Sequence, residues 1–291
     1  MLRREFAGFC VFGAALGKWQ DQGEVFVERV AGGFRFTEGP VWLGGGVLAF
    51  SDIPTSRVLR WSAKDGVQLL RGDSGGANGL AVDGRGRLYM CEGTGRRVTR
   101  MDSGGKIEVL AERFEGKRLN SPNDIALRKD GHVWFSDPAF GARADTRELP
   151  FHGVFHLKPD KELEVVARMD RRPNGVALSP DGRMLYVAVS DERSVRAWDL
   201  DRGGEASNPR LVITGIDGPP DGLKVDEQGT IHVASNALAT YDTHGKLLKT
   251  LPLSEKPSNL CFASDNRTLY VTARTAVYRV LLDGKPAQAQ P

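Results

Sequence analysis

Cysteine is scarce in this 291-residue chain. Cys10, Cys91 and Cys261 are three in number, far apart, and include no Cys-x-x-Cys pair. An odd, scattered set excludes a disulfide framework, and with no histidine beside any of them it excludes a zinc knot. Cys91 (LYMCEG) and Cys261 (NLCF) lie in apolar strand patterns and read as buried free thiols. There is no Gly-x-Ser-x-Gly elbow, so serine-hydrolase chemistry lacks its nucleophile turn. No amphipathic helical run exceeds two turns. Charge of one sign is also missing: Lys and Arg total 40 against 37 Asp and Glu, interspersed, for a net +3. That balance gives no field for nucleic acid or an anionic membrane surface.

At the N-terminus, basic residues precede an apolar run from Phe6 to Leu16, too short to span a bilayer. The run has the length of a signal-peptide core, but Glu5 borders it and the cleavage signal is poor. The segment reads as a short helix or disordered extension, with a cleaved leader as the alternative. A cytoplasmic location is expected, or a secreted or periplasmic one if residues 1–16 are a leader.

Glycine is what the chain has in excess: 35 residues, about 12% against a usual ~7%. At that density, without low complexity, it implies many tight turns and hence many short strands. The strands repeat. Six segments share one form, a polar residue, a strand, a turn of the Asp-Gly kind and a second strand. They read EGPVWLGGGVLAFSD from Glu38, NGLAVDGRGRLYMCEG from Asn78 and NDIALRKDGHVWFSDP from Asn123. NGVALSPDGRMLYVAVSD follows from Asn174, DGLKVDEQGTIHVASN from Asp221 and NLCFASDNRTLYVTAR from Asn259. Their starts are 40, 45, 51, 47 and 38 residues apart.

Third strands such as RVLRWSA and GVFHLKP, and fourth strands such as KIEVLAE, complete a four-stranded unit with the period of a propeller blade. The sixth unit ends after its third strand, while residues 24–30 (EVFVERV) form a spare strand ahead of the first. The fold predicted is therefore an all-β, six-bladed propeller over residues 24–285, its last blade closed by that N-terminal strand. Residues 1–23 are an extension and 286–291 a tail. A pair of β-sandwiches, the rival architecture, explains neither the period nor the spare strand.

In a propeller the first strand of each blade lines a central channel. The residues opening those strands are Glu38, Asn78, Asn123, Asn174, Asp221 and Asn259, none of them apolar. Any one of them could be an ordinary turn residue. Six at matched positions converge oxygens on one channel mouth, and clustered carboxylates there ask for a cation. All-oxygen donors suit a hard divalent ion. The second-to-third-strand loops, carrying Asp52, Glu92, Asp137, Asp191 and Asn236, are expected on the same face. His132, His156, His232 and His244 fall mid-strand or at turns and read as structural. His152 lies in the longer segment DPAFGARADTRELPFHG, expected to cover the channel mouth.

The sequence resembles the senescence marker protein (regucalcin), gluconolactonase and luciferin-regenerating-enzyme-like family of six-bladed propellers. The likeness runs from about Phe36 to Val280. FTEGPVW, GKRLNSPNDIALRKDGHVWFSDPAFG, RRPNGVALSPDGRMLYVA and PPDGLKVDEQGTIHVA look like its bacterial gluconolactonase branch. The resemblance implies metal ligands at Glu38, Asn174 and Asp221, with Asn123 a further ligand or substrate contact. It implies one divalent ion, calcium foremost, with magnesium, manganese or zinc as alternatives. Asp137 is implied as a catalytic or supporting group beside Asp221, the general base. Ser121 stands where the animal regucalcin branch has an arginine, and Arg118 lies three residues earlier. Arg118, Asn120, Asn123 and His152 are thus the candidate substrate contacts. The expected activity is metal-dependent opening of a lactone, most simply a sugar lactone, by a monomer or homodimer. The competing classes are a metal-stabilised scaffold and an esterase or organophosphate hydrolase.

Overall fold

The structure, a computed structural model, describes residues 25–282. The N-terminal extension, Cys10 and the 286–291 tail lie outside the described residues. Six four-stranded antiparallel sheets account for nearly all of it. Blade 1 runs through Thr37–Gly44, Val47–Asp52, Arg57–Ser62 and Gly66–Arg71. The first strands of blades 2 to 6 are Ala77–Val82, Ile125–Leu127, Pro173–Leu178, Leu223–Val225 and Pro257–Phe262. These inner strands abut one another in an unbroken cycle around the axis.

The hairpin turns follow from their aspartates. Asp83 Oδ1 accepts the amides of Arg85 and Arg87, both at 3.0 Å, and Gly86 between them takes φ +74°. A side chain oxygen that satisfies turn amides, followed by a residue free to adopt positive φ, fixes the reversal.

Packing explains why the strands are apolar on both faces. Each blade is covered by a neighbour on either side, so second strands such as Leu88–Glu92 and Val133–Asp137 are buried throughout. Outer strands such as Gly66–Arg71 are largely exposed. Six apolar clusters form, one between each pair of adjacent blades. The last joins blade 6 to blade 1 through Cys261, Tyr270 and Val277 against Leu48, Phe50 and Trp61. Cys91 and Cys261 are buried and unpaired, as read from their surroundings.

The spare strand closes the ring. Phe26–Gly32 pairs with Ala276–Leu281 from Phe26↔Leu281 to Gly32↔Ala276, with one irregularity between Arg29 and Ala31. Blade 6 thus gains its fourth strand from the other end of the chain, and its edge is covered.

Candidate metal and active site

Neighbouring inner strands are tied edge to edge, which sets the spacing of the residues at the channel mouth. Ser51, Ser136 and Ser190 donate their hydroxyls to Asn78 O, Asn174 O and Pro220 O of the next blade, at 2.8, 2.6 and 2.8 Å. Gly79 N donates to Asn123 O at 2.7 Å and Gly175 N to Asp221 O at 3.0 Å. These approaches leave no room for a side chain. A Cβ on Gly79 would lie 2.6 Å from Asn123 O, and one on Gly175 2.5 Å from Asp221 O. The residue after each ring position is therefore glycine in four of the six blades.

The equivalent bond in blade 6 shows a shift. Gly222 N donates to Ser258 O at 2.7 Å, so Ser258, not Asn259, takes the place matching Asn123 and Asp221. Asn259 therefore stands where blades 2 and 4 have Gly79 and Gly175, inside the same irregularity that blades 1, 2 and 4 carry at this point. Asn259 lies one position further along and hydrogen-bonds Glu38 from there.

Glu38 and Asp221 form the centre. Glu38 is 3% exposed, accepts Gly39 N at 2.9 Å, and is held well above the usual carboxylate range. Burial is the main cause, followed by the charges of Asp221 and Asp124, against which the Gly39 and Asn259 bonds pull. Asp221, half-buried, is likewise raised, by burial first and by Asp124; Asn174 and Lys256 oppose the rise. Three acids thus repel one another in one site.

The orientation of the Asn174 amide can be deduced. Ser190 gives its only hydroxyl proton to Pro220 O, so at 3.3 Å it accepts from Asn174 Nδ2. The same amide bonds Asp221. With the NH2 group so used, Oδ1 is what Asn174 can offer a cation. Asn123 is half-buried, its backbone fixed by Ser136 O on one side and Gly79 N on the other. An all-oxygen set with excess negative charge fits a hard divalent ion: Glu38, Asn174 and Asp221 would hold it, with Asn123 alongside.

Asp124 is the group that sequence reasoning missed. It is 1% exposed, accepts Val176 N at 3.0 Å across the blade junction, and has Lys224 Nζ at 3.6 Å. The legible signal was a charge where four of the other five blades have glycine.

The loop acids behave differently from expectation. They hold down the segments that lead into their own blades. Asp52 accepts Arg35 N and Phe36 N, at 3.2 and 2.9 Å. Asp137 accepts Asn120 N and Ser121 N, both at 2.7 Å, and Asp191 accepts Arg172 N at 3.0 Å. Asn236 bonds Asp217, and Glu92 is buried between Arg71 and Arg97 at 2.7 Å each. A backbone amide entering a strand has no ladder partner, and these oxygens supply one.

Asn120 is wholly buried, its Nδ2 donating to Asp137 O and Phe151 O at 3.0 Å. Arg118 donates to Gly95 O at 3.2 Å. His152 is not on the loop: it opens the strand His152–Leu157, is 7% exposed, and accepts Ala139 N on Nδ1 at 3.1 Å. Burial, then Arg147, lowers its pKa.

The loop itself, with a 3-10 turn at Gly141–Thr146, walls a depression of about 440 Å3 beside the ring. Ile53, Asn78, Thr94, Ser121, Phe140 and Thr146 line it, with Gly76 and Gly93 completing it.

His132 and His156 face each other at 2.7 Å near the other end of blade 3, and His232 bonds Asp226. His156, Glu164 and Glu205 bring ligand atoms within 4.8 Å of one another. Lys158 already fills that group, 2.5 Å from Glu164 and 3.6 Å from Glu205. It does not compete with the channel as a metal centre.

Asp137 yields a pH prediction. Burial pushes its carboxyl up to about 7 against the Asn120 and Ser121 amides and Arg96. Unfolded, an aspartate titrates near ~3.9. The folded chain therefore keeps a proton that the unfolded chain has lost, and the stability this gives declines as pH rises from about 4 through 7. Urea midpoints should fall more steeply between pH 5 and pH 8 in the parent than in Asp137→Asn. Parallel pH profiles would show that Asp137 does not titrate there.

The profile of the SMP-30/Gluconolactonase/LRE-like region matches residues 36–275. The chain belongs to this family. The matched stretch takes in every ring position but not the closing strand Phe26–Gly32. Among family relatives, the gluconolactonase of Zymomonas mobilis is 32% identical over 288 residues, covering 87% of this chain and 80% of its own. Bovine regucalcin is 28% identical over 265 residues, covering 87% of each. A solved gluconolactonase structure from Xanthomonas campestris superposes with a TM-score of 0.82 at 34% identity, over 88% of this chain and 89% of that one.

Proposed function

We propose that this chain is a divalent-metal-dependent hydrolase that opens a lactone ring, with a sugar lactone as the simplest substrate. The observation that carries the reading is the trio Glu38, Asp221 and Asp124, brought together at the channel mouth at a cost in mutual repulsion that one cation would offset. The gluconolactonases among its relatives support the choice of a lactone.

When bound, the ion supplies Lewis acidity toward the carbonyl oxygen and the charge that grows on it. Glu38, Asn174 and Asp221 hold it. Asp221, half-buried where Glu38 is sealed, takes a proton from the attacking water as the water oxygen bonds to the acyl carbon. The acyl–oxygen bond of the ring then breaks, and the proton passes to the departing ring oxygen. Asn123 orients the lactone. Asp137 has no exposed surface, so it serves as a positioning residue. With Asn120 and His152 it fixes the turn that carries Ser121 and Asn123. Arg118 braces the same turn from Gly95.

The test is a rate panel of sugar lactones, aliphatic lactones and a phosphotriester, each with calcium, magnesium, manganese or zinc. Lactone opening well above the spontaneous rate with at least one ion is expected. Phosphotriester turnover without lactone turnover would assign the site to the organophosphate class, and no turnover at all to a scaffold.

A further inference from the structure

We infer that Lys224 determines which cation the ring accepts: its ammonium group, fixed near the channel axis beneath the ring, biases the site toward a divalent ion and against one of higher charge. The inference rests on the metal-site reading above and adds the residue that selects the ion's valence.

The sequence marks the position. Three residues on from each ring position stand Val41, Ala81, Ala126, Ala177 and, after Ser258, Cys261; in blade 5 the same place holds Lys224. The other five all pack in the clusters between blades. A lysine among such neighbours asks for a partner. Lys224 finds one across the channel. Its strand, Leu223–Val225, belongs to blade 5, yet its Nζ lies 3.6 Å from Asp124 Oδ2 on blade 3. The same oxygen accepts Val176 N of blade 4 at 3.0 Å. Burial pushes the Cys261 thiol of blade 6 up, and the charge of Lys224 pulls against it. An ammonium that pairs on blade 3 and is felt on blade 6 stands near the axis. It enters from below the ring, since three residues of strand past Asp221 span about 10 Å.

The pair shares one electrostatic site with the ion. Beyond burial, the charges of Asp221 and Asp124 raise Glu38, and that of Asp124 raises Asp221. Lys224 meets the charge of Asp124 before an ion arrives. Glu38 and Asp221 are then the two anionic charges left to balance, which is the requirement of a divalent ion. Lys256, whose charge reaches Asp221, adds to the bias against a more highly charged one. Without the ammonium, three carboxylates would face one ion. Coulomb energy follows the product of the charges, so a trivalent ion would gain about half as much again as a divalent ion of the same size.

The experiment measures calcium and terbium affinities of the chelator-stripped full-length chain, by calorimetry and terbium luminescence. Both ions take oxygen ligands and they are close in size, so their ratio reports charge. In Lys224→Met the terbium-to-calcium affinity ratio should rise at least tenfold over the parent. Lys224→Arg, which keeps the charge, should leave the ratio within threefold. Asp124→Asn, which keeps an oxygen for Val176 N, should lower it. The double variant Lys224→Met/Asp124→Asn loses one charge of each sign and should return to the parent's ratio. A merely structural lysine would weaken both ions together, and Asp124→Asn would not correct the loss. Lys224→Gln makes the same test should Lys224→Met fold poorly. A folded Lys224→Met or Lys224→Gln with the parent's ratio, or a double variant that keeps the raised ratio, would overturn the inference. Binding is read without turnover, so absence of lactonase activity leaves the result standing. A parent that binds neither ion would reject the metal reading itself, and this inference with it.

Discussion

Replacing Asp221 or Glu38 by alanine should abolish turnover while leaving the propeller folded. Neither side chain belongs to the apolar clusters between blades. Glu38 is tied to the protein through Gly39 N and Asn259, Asp221 through Asn174. Without a cation both carboxylates are strained by burial and mutual repulsion, so each deletion should leave the metal-free melting temperature equal to the parent's or raise it. The metal-loaded forms should differ in the opposite sense, because the variants lose the stabilisation that a bound ion gives the folded state. Activity and stability thus separate, which a merely structural residue would not do. A variant keeping more than about a tenth of the parent kcat/KM, a penalty of only ~1.4 kcal/mol, would remove that residue from the catalytic centre.

Shortening the N-terminus should have an all-or-none effect that depends on residues 21–31. Removal of residues 1–20 leaves the strand Phe26–Gly32 whole, and the protein should melt like the parent. Removal of residues 1–31 leaves only Gly32 of that strand. It deletes Val30 and Ala31, which pack against the cluster joining blades 6 and 1, and bares the edge of Ala276–Leu281. Loss of a ladder and of apolar cover at the ring's closure point should cost several kcal/mol, a fall in Tm on the order of 10 °C, or lead to aggregation through the open edge. Equal melting of the two truncations would contradict closure by this strand.

The blades were readable because their turns carry local chemistry. An aspartate that satisfies turn amides and a glycine at positive φ repeat at blade spacing, and both are short-range features. The ring residues were readable for the same reason in five blades. Blade 6 was not, because Asn259 fills the place that is glycine in blades 1, 2, 4 and 5 and so imitates a ring asparagine, while the ring position itself holds Ser258. Asp124 escaped notice because its contacts, Val176 N and Lys224 Nζ, come from blades 4 and 5. The loop acids were placed at the correct end of the blades, but composition cannot say whether a carboxylate faces a channel or a backbone amide. Asp137 and Asp52 face amides. His152 looked like a loop residue because the strand it opens starts sooner than its proline- and arginine-rich approach implies.

The central claim is that the oxygens of Glu38, Asn174 and Asp221 hold an ion that takes part in the reaction. The most direct measurement is the rate of gluconolactone opening by one preparation, first stripped with chelator and then titrated with a divalent ion. The account predicts a rate indistinguishable from the spontaneous one in the stripped protein, restored in proportion to the first ion bound per chain. The change should fall mainly on kcat, because polarising a carbonyl stabilises the transition state more than the bound substrate. Stripped protein that opens the lactone as fast as the reloaded form would contradict it.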